Sequence, residues 1–300
     1  MYQVSLIGVP TDIGASTVGC RLGPQALRVA GLTKALEAYG CKVRDCGDLS
    51  GPENPLQPPV NGYRHLPQVI EWNKALFAAV STELADGRLP IVLGGDHCLA
   101  IGSITAIADH CRRTGKTLRV IWVDAHADFN TAELTPSGNI HGMPVACLTG
   151  HGPDELTRMG ENYPAMANDE IRQIGLRSVD VGEKGFLHEQ GITVYDMRYL
   201  DEIGMRETMH RALEGVDENT HVHLSLDLDF IDPAIAPGVG TPVKGGLDYR
   251  EAHMVMEIVA DSGKLTSLDL VEVNPTLDVR NATAQLGVEL ALSAIGMKIL

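Results

Sequence analysis

The stretch VIWVDAHADFN, Val120 to Asn130, decides how this chain folds and where its chemistry lies. An apolar run of strand length ends in Asp124, His126 and Asp128, separated by single small residues. A strand buried on both faces reads as a near-continuous apolar run, as in a parallel sheet covered by helices. Positions i, i+2 and i+4 of an extended chain share one face. The three metal-capable side chains therefore leave the strand end pointing the same way, until the chain turns.

Seven further runs have strand character. They are YQVSLIG, KVRDCG, PIVLGG, IRQIGL, GITVYDM, HVHLSLDLD and KLTSLDLVEV, and the run of the opening stretch extends back as TLRVIWVD. Between most of them lie segments of 3.6-residue periodicity, such as PQALRVAGLTKALEAYG and IEWNKALFAAVSTELADG. Alternating strands and helices predict a three-layer α/β/α fold with a mostly parallel, about eight-stranded sheet. No linker divides the chain, so residues 1–300 are expected to form one domain. The Pro-rich tract Gly51 to Pro67 reads as a surface loop. No GxxxxGK[ST] or GxGxxG phosphate loop accompanies GGDH.

Composition narrows the function. The 300 residues are 44% hydrophobic and 21% charged, which is globular. A net charge of -15 argues against nucleic acid as a partner; it can attract a cationic small substrate, but such a surface more often serves plain solubility. The six cysteines include no CxxC pair and read as reduced core thiols. The N-terminus has no basic n-region, and no apolar run reaches the ~20 residues a membrane helix needs. A cytoplasmic protein without a membrane partner is the expectation.

Ligands of open parallel sheets bind beyond the carboxyl ends of the strands. Four predicted strand ends carry acids or histidines: Asp96 and His97, then Asp124, His126 and Asp128, then Asp227 and Asp229, and finally Glu272. Each group alone is weak evidence. Four aspartates brought together repel one another unless they are protonated or neutralised. Two divalent ions supply the required charge, and His97 and His126 add a nitrogen for each. Oxygen ligands with some imidazole and no thiolate suit Mn²⁺, Mg²⁺ or Co²⁺, with Mn²⁺ first. Two such ions can share a water and lower its pKa to roughly 7, which predicts metal-assisted hydrolysis.

The strings GGDH, DAHADFN, SGNIHGMP, GLRSVDVGEK, SLDLDFIDP, GTPVKGGLDYRE and VEVNP run in order from residue 94 to 275. Together with IGVPTDIGA and GCRLGPQALRVAGL they resemble the ureohydrolase family, and within it the arginases most closely. The resemblance implies two Mn²⁺ per subunit. His97, Asp124, Asp128 and Asp227 would hold one ion; Asp124, His126, Asp227 and Asp229 would hold the other. It further implies His141 as proton shuttle and Glu272 as the acid contacting a guanidinium. Asn130, Ser137 and Asn139 would recognise the α-carboxylate of L-arginine, Asp180 and more weakly Glu183 its α-amino group, and Thr241 would line the site. Trimers or hexamers of identical subunits are implied too. Two departures stand out. Cys98 replaces the Ser that often follows GGDH, and Ser178 replaces an acid found in several arginases.

Plainer readings weigh against some of these. Histidine in a loop is usually ordinary, but His141 lies within SGNIHG. An acid inside LVEVNP needs a partner. His221 and His223 share strand parity with Asp227, yet at ~3.3 Å per residue they sit too far along the strand to be ligands and read as structural. His151 and the following loop could border a pocket mouth. Hydrolysis of L-arginine to L-ornithine and urea is thus set against two alternatives. One is another ureohydrolase, acting on agmatine, guanidinobutyrate or formiminoglutamate; the other is an inactive metal-binding interaction protein.

Overall fold

All eight predicted strands form. They are β1 (Gln3–Val9), β2 (Lys42–Asp48), β3 (Leu89–Gly94), β4 (Thr117–Val123), β5 (Ile171–Leu176), β6 (Thr193–Asp196), β7 (Thr220–Asp227) and β8 (Leu265–Val271). The computed structural model describes residues 2–297. The sheet runs β2-β1-β3-β8-β7-β4-β5-β6, and every neighbouring pair is parallel. Parallel pairing demands long crossovers, and helices supply most of them. The pleat of β4 shows why both faces must be covered. Ile121 and Val123 join one apolar cluster with the helix Tyr249–Asp261, while Val120 and Trp122 join another with the helix Ala100–Thr114. Among the described residues no helix is long and apolar enough to cross a membrane.

The strand order places the site. β3 and β4 follow one another in sequence but not in space, because β8 and β7 lie between them. The four strand ends singled out by their acids are therefore the four adjacent central strands. All are parallel, so all four ends open on the same edge.

One expectation needs correction. The strands are expected to be nearly continuous apolar runs, but β7 is apolar only on the face of Val222, Leu224 and Leu226. Its other face carries His221, His223, Ser225 and Asp227, all buried. The neighbouring β8 answers with Ser267 and Asp269. Ser267 Oγ lies 3.0 Å from His221 Nε2 and 2.9 Å from His223 Nδ1, and Ser103 Oγ donates to Asp269. A polar ribbon can cross a core because nearly every group in it finds a partner. His221 and His223 are structural, as expected.

Burial, with the nearby His223, His110 and Lys116, pulls His221 down to about 3 from 6.5. Its folded pKa lies below its unfolded value. The stability linked to its neutral form is therefore present above 6.5 and is lost as pH falls toward 3. In chelated protein, His221→Gln is expected to flatten the dependence of the unfolding free energy on pH over that window, by on the order of a few kcal/mol at its acid end. An unchanged acid slope in calorimetry would remove His221 from the account.

Candidate metal centre and active site

The aspartates at the strand ends share one local device. Each offers one carboxylate oxygen to a nearby backbone N–H and turns the other inward. Asp124 Oδ1 accepts from His126 N at 2.7 Å, Asp227 Oδ1 from Asp229 N at 2.8 Å, and Asp229 Oδ1 from Ala125 N at 3.1 Å. Backbone donors thus fix each side chain before any ion is considered. Asp128 reaches the centre differently, from a left-handed backbone with φ of 50°. Glu272 does the same with φ of 63°. Such conformations cost of order 1–3 kcal/mol and persist only where the surroundings hold them, typically at functional sites.

The inward oxygens converge on two imidazoles. His97 Nδ1 lies 3.0 Å from Asp124 Oδ2, 3.2 Å from Asp227 Oδ2 and 3.3 Å from Asp128 Oδ2. His126 Nδ1 lies 3.0 Å from Asp229 Oδ2 and 3.5 Å from Asp124 Oδ1. Ligand atoms of His97, Asp124 and Asp227 lie within 4.8 Å of one another, as do those of Asp124, His126 and Asp229. Asp124 belongs to both groups.

These residues fit a pair of cations. His97 Nε2 is hydrogen-bonded to Ser225 Oγ at 2.8 Å. Its buried Nδ1 faces three carboxylates without a properly directed hydrogen bond to any of them. Electrostatics agree. Burial, then neighbouring carboxylates, pushes Asp128 and Asp227 well above the usual range. Burial opposes protonation of His97 and His126, but the aspartates outweigh it and raise them to about 9 and about 12. The cluster demands protons or metal to neutralise it, and its all O and N donor set suits a divalent first-row ion or Mg²⁺.

Beside the cluster opens a cleft of about 250 Å³. Its wall includes six of the seven residues expected to contact substrate: Asn130, Ser137, Asn139, Asp180, Glu183 and Thr241; the seventh, Glu272, is not in the wall. His141 lines it as well, and so does Ser178. One end is thus carboxylate and imidazole, and the other adds amides and hydroxyls to the carboxylates of Asp180 and Glu183.

Known proteins share this architecture across its whole length. The arginase family model matches residues 2–296. The chain belongs to the arginase family. It is 46% identical to the arginase of Bacillus caldovelox over 303 residues, covering 100% of both sequences. The solved native structure of that arginase at pH 5.6 aligns with a TM-score of 0.93 at 44% identity, covering 100% of each chain. The arginase of Entamoeba histolytica in complex with L-ornithine aligns with a TM-score of 0.91 at 32% identity, over 99% of this chain and 100% of that one. With this membership the chain is an enzyme, a hydrolase acting on the C–N bond of a guanidino group.

Other residues of this family member find more particular settings. Glu272 sits behind His141 rather than in the cleft wall, and it is 1% exposed. Its Oε1 lies 2.9 Å from His141 Nδ1 and accepts from His97 N at 2.9 Å; Cys20 donates to Oε2 at 3.2 Å. Burial acts to raise the Glu272 carboxyl, yet these donors hold it below the usual range. Asn130 Nδ2 donates to Asp180 Oδ2 at 3.0 Å, which leaves Asn130 Oδ1 buried and without a partner. Glu183 is tied down as well. Both its oxygens accept backbone bonds, from Phe129 N at 2.8 Å and Asp180 N at 3.1 Å. It completes a capping box at the start of the helix Val181–Gln190. Thr241 donates to Asp229 Oδ2 at 3.1 Å. Cys98 is buried, and its N–H reaches Asp96 Oδ1 at 3.0 Å. His151 packs edge-on against Phe186, 4.9 Å between ring centroids, and does not line the cleft.

Three supporting residues escaped the sequence reading. Trp122 stacks on His97 at 4.0 Å and donates to Asp124 Oδ2 at 3.1 Å. Ser225 supports the other side of His97, and its parity with Asp227 was a usable signal. Cys20 comes from a distant loop, and nothing local pointed to it.

Proposed function

We propose that this chain hydrolyses L-arginine to L-ornithine and urea, using two divalent cations, Mn²⁺ foremost. His97, Asp124, Asp128 and Asp227 would hold one ion; Asp124, His126, Asp227 and Asp229 would hold the other. Such ions, when bound, supply Lewis acidity that brings the pKa of a coordinated water near 7. The chain's own groups do the rest. Glu272 occupies Nδ1 of His141, so Nε2 is the atom left to carry protons at the cleft wall. A guanidino carbon near the carboxylate end must lose an amine, and that amine needs a proton that His141 is placed to give.

The observation that carries the substrate is the far end of the cleft. Ser137 and Asn139 offer a hydroxyl and an amide; Asn130, expected with them on the carboxylate side, has its Nδ2 engaged by Asp180, so its Oδ1 joins Asp180 as an acceptor instead. That is a complement for an α-carboxylate and an α-ammonium together. A partner with only the guanidino end leaves those groups unmatched, at about 1–3 kcal/mol for each buried one. Agmatine, which lacks the carboxylate, makes the test. The ratio of kcat/KM for L-arginine to that for agmatine is expected to be at least ~10²-fold. Near-equal values, or a preference for agmatine, would leave a different ureohydrolase activity in its place.

A further inference from the structure

The Pro-rich tract read from sequence as a surface loop brings a cation up behind Asn139, which lines the far end of the cleft. Arg64 Nε donates to Asn139 Oδ1 at 2.6 Å, and Nη1 donates to Gln57 O at 3.0 Å. The Arg64 backbone N–H reaches Gly138 O at 2.7 Å. Among the described residues Arg64 forms no ion pair, although the cleft is lined by Asp128, Asp180, Glu183 and Asp227.

This placement is built rather than incidental. The turn Val60–Tyr63 closes on itself through two backbone bonds of 2.9 and 3.0 Å. Gly62, at φ of 80°, packs so closely that a Cβ would lie 2.6 Å from Ala132 O. Gly138, at φ of 70°, would put a Cβ 2.5 Å from Pro59 Cβ. Two left-handed glycines thus let the tract seat against the loop that carries Ser137 and Asn139. His65 pins the next residue, with Nδ1 2.9 Å from Ile13 O and Nε2 accepting from Gln57 N at 3.0 Å.

The consequence is chemical. A guanidinium can only donate. By donating to Asn139 Oδ1 it fixes which way that amide lies, with Nδ2 on the other side, 3.1 Å from Ser16 Oγ. One N–H of that amide remains for a ligand. Without Arg64 the amide is free to turn over and present its oxygen, which repels a carboxylate. The charge of Arg64, neutralised by no acid, also favours an anion at this end of an otherwise acidic cleft.

We propose that Arg64 is a positioning residue for selectivity: acting through Asn139, it makes the far end of the cleft accept a substrate that bears an α-carboxylate. This rests on the L-arginine reading above. Arg64→Met keeps the stem and removes both charge and donors. Its KM for L-arginine rises about 10–100-fold while kcat stays within about threefold, and kcat/KM for agmatine is unchanged. Inhibition by L-ornithine weakens in step. Arg64→Lys, which keeps the charge but not the fork, recovers part of the loss. The same kinetics are measured on the metal-loaded parent, with Tm as the check on folding. If the parent prefers L-arginine and Arg64→Met keeps the same ratio of the two substrates, the proposal is overturned and the arginine reading stands. If both substrates suffer equally with a lowered Tm, Arg64 is structural only and the proposal is again overturned. If the parent itself prefers agmatine, both fall.

Discussion

Asp124→Ala is expected to abolish metal retention at both positions and to lower kcat by ~10³-fold or more at neutral pH, since an unassisted water has a pKa of 15.7. Asp124 carries this weight because its two oxygens face different histidines, Oδ2 toward His97 at 3.0 Å and Oδ1 toward His126 at 3.5 Å. Asp227→Asn isolates the charge from the shape. Burial and the neighbouring Asp229, Asp124 and Glu272 push Asp227 well above the usual carboxylate range, so its ionised form is costly when no cation is bound. Chelated Asp227→Asn should therefore be at least as stable as the chelated parent. Added Mn²⁺ should raise the Tm of the parent strongly and that of the variant little, because binding the folded state alone stabilises it. Metal analysis, calorimetry and a urea assay read the three effects. Full activity in exhaustively demetallated parent would falsify the two-ion reading, as would normal metal content in Asp124→Ala.

What could be read from sequence is what local physics determines. The apolar runs of β3 and β4 announce buried parallel strands, and the alternation in DAHAD puts three ligands at one strand end. The acids of SLDLD do the same for β7. The motif DVGE forms a capping box, which the reading of Asp180 and Glu183 as substrate contacts passed over and which accounts for the backbone bonds of Glu183. Local pattern could not show that β8 and β7 lie between β3 and β4. That order depends on helix packing across the whole sheet, and it brings Glu272 to His97 and His141, 175 and 131 residues away. Cys20 against Glu272 and Arg64 against Asn139 have the same origin: the first joins a loop segment to a strand end and the second joins two loops, each pair far apart in sequence. The polar ribbon of His221, His223, Ser267 and Asp269 was hidden for another reason. On β7 alone its polar residues break the apolar run expected of a central strand, and only the pairing with β8 shows that they satisfy one another.

His141→Ala is expected to lower kcat by ~10²–10⁴-fold while both ions stay bound. The residue lines the cleft, and its Nδ1 is held by Glu272 at 2.9 Å rather than by the aspartates of the cluster. The chemistry needs a group that gives a proton to a leaving amine and takes one from the next water, and imidazole near neutral pH serves both. Its pKa is set by competition. Burial acts to lower it, but the hydrogen bond and charge of Glu272, with Asp96 beyond, raise it above 6.5. Raising favours the protonated imidazole, so the acid form persists to higher pH than for a free histidine. Glu272→Gln removes the anion while keeping an oxygen for the His97 N–H. The limb of the kcat–pH profile that reports His141 should then move to lower pH, toward the value burial alone would set. KM for L-arginine in His141→Ala should change far less than kcat, since the lost group acts on the proton and not on the far end of the substrate. Two results would reassign it. Loss of metal in His141→Ala makes it a ligand, and an unmoved pH limb in Glu272→Gln breaks the link between the imidazole and the carboxylate 2.9 Å away.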